Sequence, residues 1–135
     1  MDIKIGFYGE AKAKTDLLVA ACFEGEKSPP KALQLVDSGA FEVAKAALQK
    51  KRFNGKDSEQ FASYDGDLKG TNELLLIGLG KKEKWSYEKF RKSVAHILRY
   101  GKSQNAKLVR VLAETFASGS IRTEDTAELI PETLD

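Results

Sequence analysis

The chain has 135 residues, 22 Lys+Arg against 20 Asp+Glu, a formal net charge of +2, 41% hydrophobic and 31% charged residues. That balance excludes a disordered chain and a membrane protein, and the length suits one domain around a single core. One cysteine and one histidine exclude a disulfide framework, a cysteine zinc site and a His-His metal motif, and leave little from which to build a Ser-His-Asp triad. No apolar run approaches the roughly 20 residues of a membrane helix. Met1 to Ile5 lacks the charged and apolar regions of a secretory leader, so the expected location is the cytoplasm.

Ile3, Ile5 and Phe7 alternate with Asp2, Lys4 and Gly6, the period of a half-buried strand. After a polar connector, Leu17 to Phe23 is a continuous apolar run, as in a strand covered on both faces. Glu24 to Pro30 reads as a loop. A helix follows, capped by Asp37 or Ser38, with Ala40, Val43, Ala44, Ala47 and Leu48 at offsets of three and four and Lys50-Lys51-Arg52 at its end. Asn54-Gly55 marks a turn with positive φ at both positions, Glu59 to Tyr64 a short strand, and Gly66 and Gly70 another turn.

Leu74 to Ile77 is the strongest buried-strand signal, ended by Gly78-Leu79-Gly80. The next helix has Ser86 as N-cap, Glu88 in its first turn, and Trp85 with Phe90 as a hydrophobic staple. Tyr87, Phe90, Val94, Ile97 and Leu98 form its apolar stripe, and Gly101 is placed for the C′ position. Leu108 to Leu112 is a further strand, expected to be less buried because of Arg110, and Thr123 to Leu129 a last helix stopped by Pro131. The order β, β, α, β, β, α, β predicts an α/β domain whose parallel strands are joined by crossover helices, with an antiparallel element near Asn54–Gly70.

Few stretches offer chemistry. Gly78-Leu79-Gly80 follows a strand and precedes a helix, but a dinucleotide fingerprint needs glycine at position 83, which is Glu83. A tight strand exit with close packing is the preferred explanation. Lys81, Lys82, Lys84, Lys89, Arg91 and Lys92 form a basic cluster, with Lys89, Lys92 and His96 expected on the outward side of the helix. Such a cluster suits phosphate-backbone contact, and equally a solvated helix face. Residues 121–135 carry a net −4, leaving +6 on residues 1–120. Cys22 reads as a core thiol, His96 as a surface histidine, and Asp65-Gly66-Asp67 as turn chemistry too poor in ligands for calcium. No nucleophile, base and oxyanion donor assemble, so no catalytic, metal or cofactor-binding residue is assigned.

The ordered set Asp16-Leu17-Leu18-Val19, Phe23-Glu24-Gly25, Phe53-Asn54-Gly55-Lys56, Leu74 to Lys81, Tyr87 to Lys92 and the Lys107–Leu112 strand resembles the N-terminal domain of cytosolic leucyl aminopeptidases. The resemblance implies a three-layer α/β/α fold with a mixed, mainly parallel sheet, similar to macro domains. It also implies a non-catalytic assembly or regulatory role, with residues 1–120 as the domain and 121–135 as an acidic helical tail leading toward a catalytic domain. In the family that second domain holds two divalent metals (zinc or manganese) and an Asn-Thr-Asp-x-Glu-Gly-Arg signature, which does not occur in this sequence. The parent removes N-terminal residues from peptides, and its partners are that domain and sister subunits of a homo-hexamer, with no membrane. Two alternatives stay open. One is nucleic-acid contact, DNA in particular, through Lys81, Lys82, Lys84, Lys89 and Lys92; the other is ADP-ribose-type nucleotide binding by a macro-like domain.

Overall fold

The computed structural model describes residues 2–6, 15–64 and 66–117. Among them, five strands form one sheet: β1 (Asp2–Gly6), β2 (Thr15–Cys22), β3 (Gln60–Ser63), β4 (Thr71–Gly78) and β5 (Leu108–Leu112). The spatial order is β1-β5-β2-β4-β3; the first four run parallel and β3 pairs antiparallel with β4. Helices α1 (Lys31–Val36) and α2 (Ser38–Gln49) lie in the β2-to-β3 connection, and α3 (Tyr87–Ser103) joins β4 to β5. The fold is the expected three-layer α/β/α arrangement with a mixed, mainly parallel sheet.

The layers follow from strand alternation. Along β2, Leu17, Val19 and Ala21 enter the core shared with Phe90, Val94 and Ile97 of α3, while Leu18, Ala20 and Cys22 enter the core shared with Ala40, Ala44 and Ala47 of α2. This two-sided burial explains why β2 and β4 are apolar runs rather than alternating ones. Asp37 caps α2 by accepting from Ala40 N at 3.0 Å, and the same buried carboxylate accepts from Lys69 N, tying the helix start to the loop before β4.

Several local features differ from expectation. Helix α1 was not foreseen: its six residues follow Pro29-Pro30, too short for a periodic signal, and bury only Ala32 and Leu33. At Asn54-Gly55 only Gly55 has positive φ (+76°); the loop is shaped by Glu59, whose carboxylate accepts from Asn54 N and Lys56 N. Gly101 is buried inside α3, which continues to Ser103. Asn105 takes the left-handed position instead (φ +53°), and Ala106 N to Gly101 O with Asn105 N to Lys102 O form a Schellman closure. Tyr87 is exposed, off the apolar stripe. Arg110 is only 6% exposed, because β5 lies between β1 and β2 rather than at the edge of the sheet. Phe7 and the expected 123–129 helix, like the whole 121–135 tail, lie outside the described residues.

Candidate functional site

Two regions carry the groups that chemistry requires: the rim at the C-terminal ends of the parallel strands, and the N-terminal half of α3. At the rim the strand exits are knitted to one another by backbone. Leu79 N donates to Cys22 O, Glu24 N to Gly80 O, Gly80 N to Gly55 O and Ser58 N to Gly78 O. The glycines serve these approaches. A Cβ on Gly78 would lie 2.0 Å from Lys56 O, and one on Gly55 2.5 Å from Phe23 O. The Gly78-Leu79-Gly80 exit is therefore filled by the chain's own 55–57 segment, and its amides do not converge on an open phosphate cradle.

Beside it a cavity of about 720 Å³ opens between the Glu24–Lys27 loop and the 48–56 segment. Phe53 is fully buried at its wall, and Lys27, Lys51 and Lys56 share the lining with Glu24 and Glu26. The Glu26 carboxylate is committed to Phe23 N at 2.7 Å. A cavity of this size, lined by three lysines and two glutamates, has room for a small polar molecule. It has no signal in the sequence, because its residues come from one loop and from the end of α2 with the segment after it, and share no motif.

The basic cluster is split by the fold. Lys81 is exposed at the strand exit, and Lys82 and Lys84 lie on the 3-10 turn Lys82–Lys84, with Lys82 Nζ 5.5 Å from the centre of the Phe23 ring. Trp85 anchors this turn: its indole donates to Phe116 O at 2.8 Å and meets Phe23 and Phe90 edge-on. Lys89 does not face outward as expected. It pairs with Asp57 at 3.8 Å, and His96, on the same helical stripe, is half-buried with its ring bonded to Gln60. That stripe turns toward the β3 side of the sheet, while Lys92 points to solvent. Burial, and then the charge of Arg99, hold His96 below the usual histidine range.

A polar cluster at the opposite end of the sheet was also missed. Glu73, 4% exposed, accepts from Tyr100 Oη, and Tyr64 Oη donates to Gln104. Burial and the Glu73 carboxylate push the Tyr100 phenol well above its usual range. The signal was present: Glu73 is in phase with Leu75 and Ile77, which face α3.

Cys22 is fully buried, and desolvation, with a smaller contribution from Glu26, pushes its thiol up to about 12. The folded state therefore keeps this proton after the unfolded state has lost it, so stability falls as pH rises from about 9 toward 12. The expected slope from this group is up to about 1.4 kcal/mol per pH unit. Urea midpoints at pH 8 and pH 10 for the wild type and Cys22→Ala measure it: the difference shrinks in the variant. Thiol reagents are expected to label Cys22 only when the chain unfolds.

Among the described residues no three His, Cys, Asp or Glu side chains gather as metal ligands, and no helix is long and apolar enough to cross a membrane. Cys22, protonated and sealed in the core, offers no thiolate. These residues do not fit a divalent-metal centre.

The fold has close counterparts among solved structures. It superimposes on the macrodomain of Mycobacterium tuberculosis DarG with a TM-score of 0.64 at 18% identity, covering 98% of this chain and 90% of that one. A mutant of tomato leucine aminopeptidase matches with a TM-score of 0.66 at 20% identity over 99% of this chain and 27% of that one. The bottromycin maturation enzyme BotP matches with a TM-score of 0.60 at 15% identity, over 88% of this chain and 22% of that enzyme. The chain thus spans about a quarter of the two enzyme chains and nearly the whole of the macrodomain. No curated protein matches the sequence at a significant level. The N-terminal-domain model of the cytosol aminopeptidase family matches residues 19–135. That match covers most of the chain and agrees with the fold, and the chain belongs to the cytosol aminopeptidase family as an N-terminal domain.

Proposed function

We propose that this chain is the non-catalytic, assembly-supporting and access-restricting domain of a cytoplasmic leucyl-aminopeptidase-type metallo-exopeptidase. The observation that carries this reading is the family match over residues 19–135. Its partners are the parent's catalytic domain, which supplies the two divalent metals and the peptide-cleaving groups, and sister subunits of a hexamer. Residues 1–120 form the domain, and 121–135 lead toward the catalytic part. The test is the source reading frame: it continues past Asp135 into a segment carrying Asn-Thr-Asp-x-Glu-Gly-Arg, and a stop codon there overturns the reading. In a complementary assay, the chain supplied with zinc or manganese leaves leucine p-nitroanilide intact; turnover that copurifies with the chain overturns the non-catalytic role.

A second reading rests on the rim cavity and on the likeness to the DarG macrodomain. It predicts saturable heat on titration with ADP-ribose, weakened by Lys27→Glu or Lys56→Glu, and a flat titration removes it. Nucleic-acid contact through Lys81, Lys82, Lys84, Lys89 and Lys92 rests on the exposure of four of these five lysines. It predicts duplex-DNA binding that falls steeply with salt, and no binding at low salt removes it.

A further inference from the structure

We propose that the open edge of β3 is a docking site for an extended acidic peptide segment, which adds to the sheet as a further strand. Among the described residues β3 ends the strand order, so only one of its sides is paired. Gly78 N donates to Glu59 O at 2.7 Å, which fixes the phase of the ladder. By antiparallel alternation Phe61 and Ser63 bond to β4, while Gln60 and Ala62 turn their N–H and C=O groups away from the sheet. Folded proteins commonly protect such an edge with charge, proline or a bulge. Gln60-Phe61-Ala62-Ser63 has neither charge nor proline; a bulge precedes it, where Ser58 (φ +65°) and Glu59 both face Gly78, and along its own four residues the strand is protected by being short.

The chemistry of the occupant follows from what flanks the edge. On the α2 side, Lys50 and Arg52 border a cavity of about 220 Å³ together with Val43, Phe61 and Ser63. On the α3 side, the His96 ring is bonded to Gln60, Arg99 is near enough to act on that ring electrostatically, and exposed Lys92 lies one turn before His96. Among the described residues, none of Lys50, Arg52, Lys92 and Arg99 has an acidic partner within 4.0 Å. The two carboxylates that precede the strand are committed elsewhere, Asp57 to Lys89 and Glu59 to the amides of Asn54 and Lys56.

Side chains of an added strand alternate between the two faces of the sheet. Both faces meet cations here, so consecutive acidic residues are each placed against positive charge. Main-chain hydrogen bonds supply the docking and the flanking charges the selectivity. A second copy of the chain fits less well. Two-fold pairing about Ala62 sets Lys50 and Arg52 against the same residues of the other copy, and Lys92 and Arg99 likewise.

The probe is a synthetic acidic peptide of Thr-Glu-Glu repeats, with a Thr-Lys-Lys peptide as control, titrated into the full chain and followed by amide NMR. The expected result is saturable shifts centred on Gln60 and Ala62, with slowed hydrogen exchange at those two amides. Binding weakens at about 0.5 M salt. Arg52→Glu combined with Arg99→Glu, both at exposed positions, weakens it about tenfold or more. Ala62→Pro, which removes an outward N–H, abolishes the shifts; the charge variant keeps the test valid should the proline variant not fold. Absence of shifts at Gln60 and Ala62, equal binding of the lysine peptide, or self-association of the chain through this edge overturns the proposal.

Discussion

Gly78→Ala is expected to lower stability by about 3 kcal/mol or more, read as a shift of the urea or thermal midpoint. Gly78 closes β4, and its φ is not positive, so the cost is one of contact rather than torsion. The added methyl would lie 2.0 Å from Lys56 O and 2.8 Å from Gly55 C, both backbone atoms. No flexible side chain is available to move aside. The facing loop is also tied in place: Ser58 N donates to Gly78 O, Gly80 N to Gly55 O, and Lys56 N to the Glu59 carboxylate. Relief requires several of these bonds to break together. Gly66→Ala is the matched control, since nothing lies within 4 Å of its added Cβ and its φ is ordinary; its expected effect is within about 0.5 kcal/mol. An unchanged midpoint for Gly78→Ala would mean that the 55–58 loop does not press on the strand end.

The same contacts bear on function. A phosphate at Gly78-Leu79-Gly80 would have to displace Lys56 and Asp57 from the strand exits. An anion entering the rim meets instead the neighbouring cavity, where Lys27, Lys51 and Lys56 stand. The glycines of the strand exit and the lysine-bearing cavity are thus adjacent but distinct. A ligand experiment separates them by which lysines it implicates.

What is legible in the sequence is whatever a local pattern controls. β2 and β4 stand out as continuous apolar runs, α2 by apolar residues three and four apart, and the Asp37 and Ser86 caps because capping is chemistry within three residues. Arg110 was misjudged because its burial depends on β5 being placed between β1 and β2, a fact about strand order that no residue of the strand encodes. The same reason takes Lys89 and His96 away from the solvent-facing positions that helix periodicity predicts. Their stripe on α3 is outside the apolar core, as its periodicity predicts, but the β3 side of the sheet, with Asp57 and Gln60, comes to meet it. The rim cavity and the Glu73–Tyr100 pair join segments 21 or more residues apart; the cavity has no local signature, and the phase of Glu73 with Leu75 and Ile77 marks its burial but not its partner.

Phe90→Ala is expected to cost about 3–5 kcal/mol, a large part of the roughly 5–15 kcal/mol that stabilises an ordinary domain. Phe90 is fully buried, with its ring centre 6.2 Å from that of Trp85 and 5.7 Å from that of Phe116, both edge-on. The upper half of the range is favoured because the site collapses poorly. Trp85 and Phe116 are fastened to each other by the indole-to-carbonyl bond at 2.8 Å, and Trp85 also leans on Phe23 at 5.7 Å, so neither ring is free to fill the void. Phe90→Leu, which keeps most of the volume, is expected to cost about 1–2 kcal/mol. The chain's single tryptophan sits in this cluster, so its near-UV circular dichroism reports the same event independently of the unfolding midpoint. A loss below about 1 kcal/mol with an unchanged tryptophan signal would refute the role of these rings in docking α3. The Lys82–Lys84 turn hangs on Trp85, so the full effect carries a corollary: loosening Phe90 also disperses the basic turn, and any ligand held there weakens before the domain unfolds.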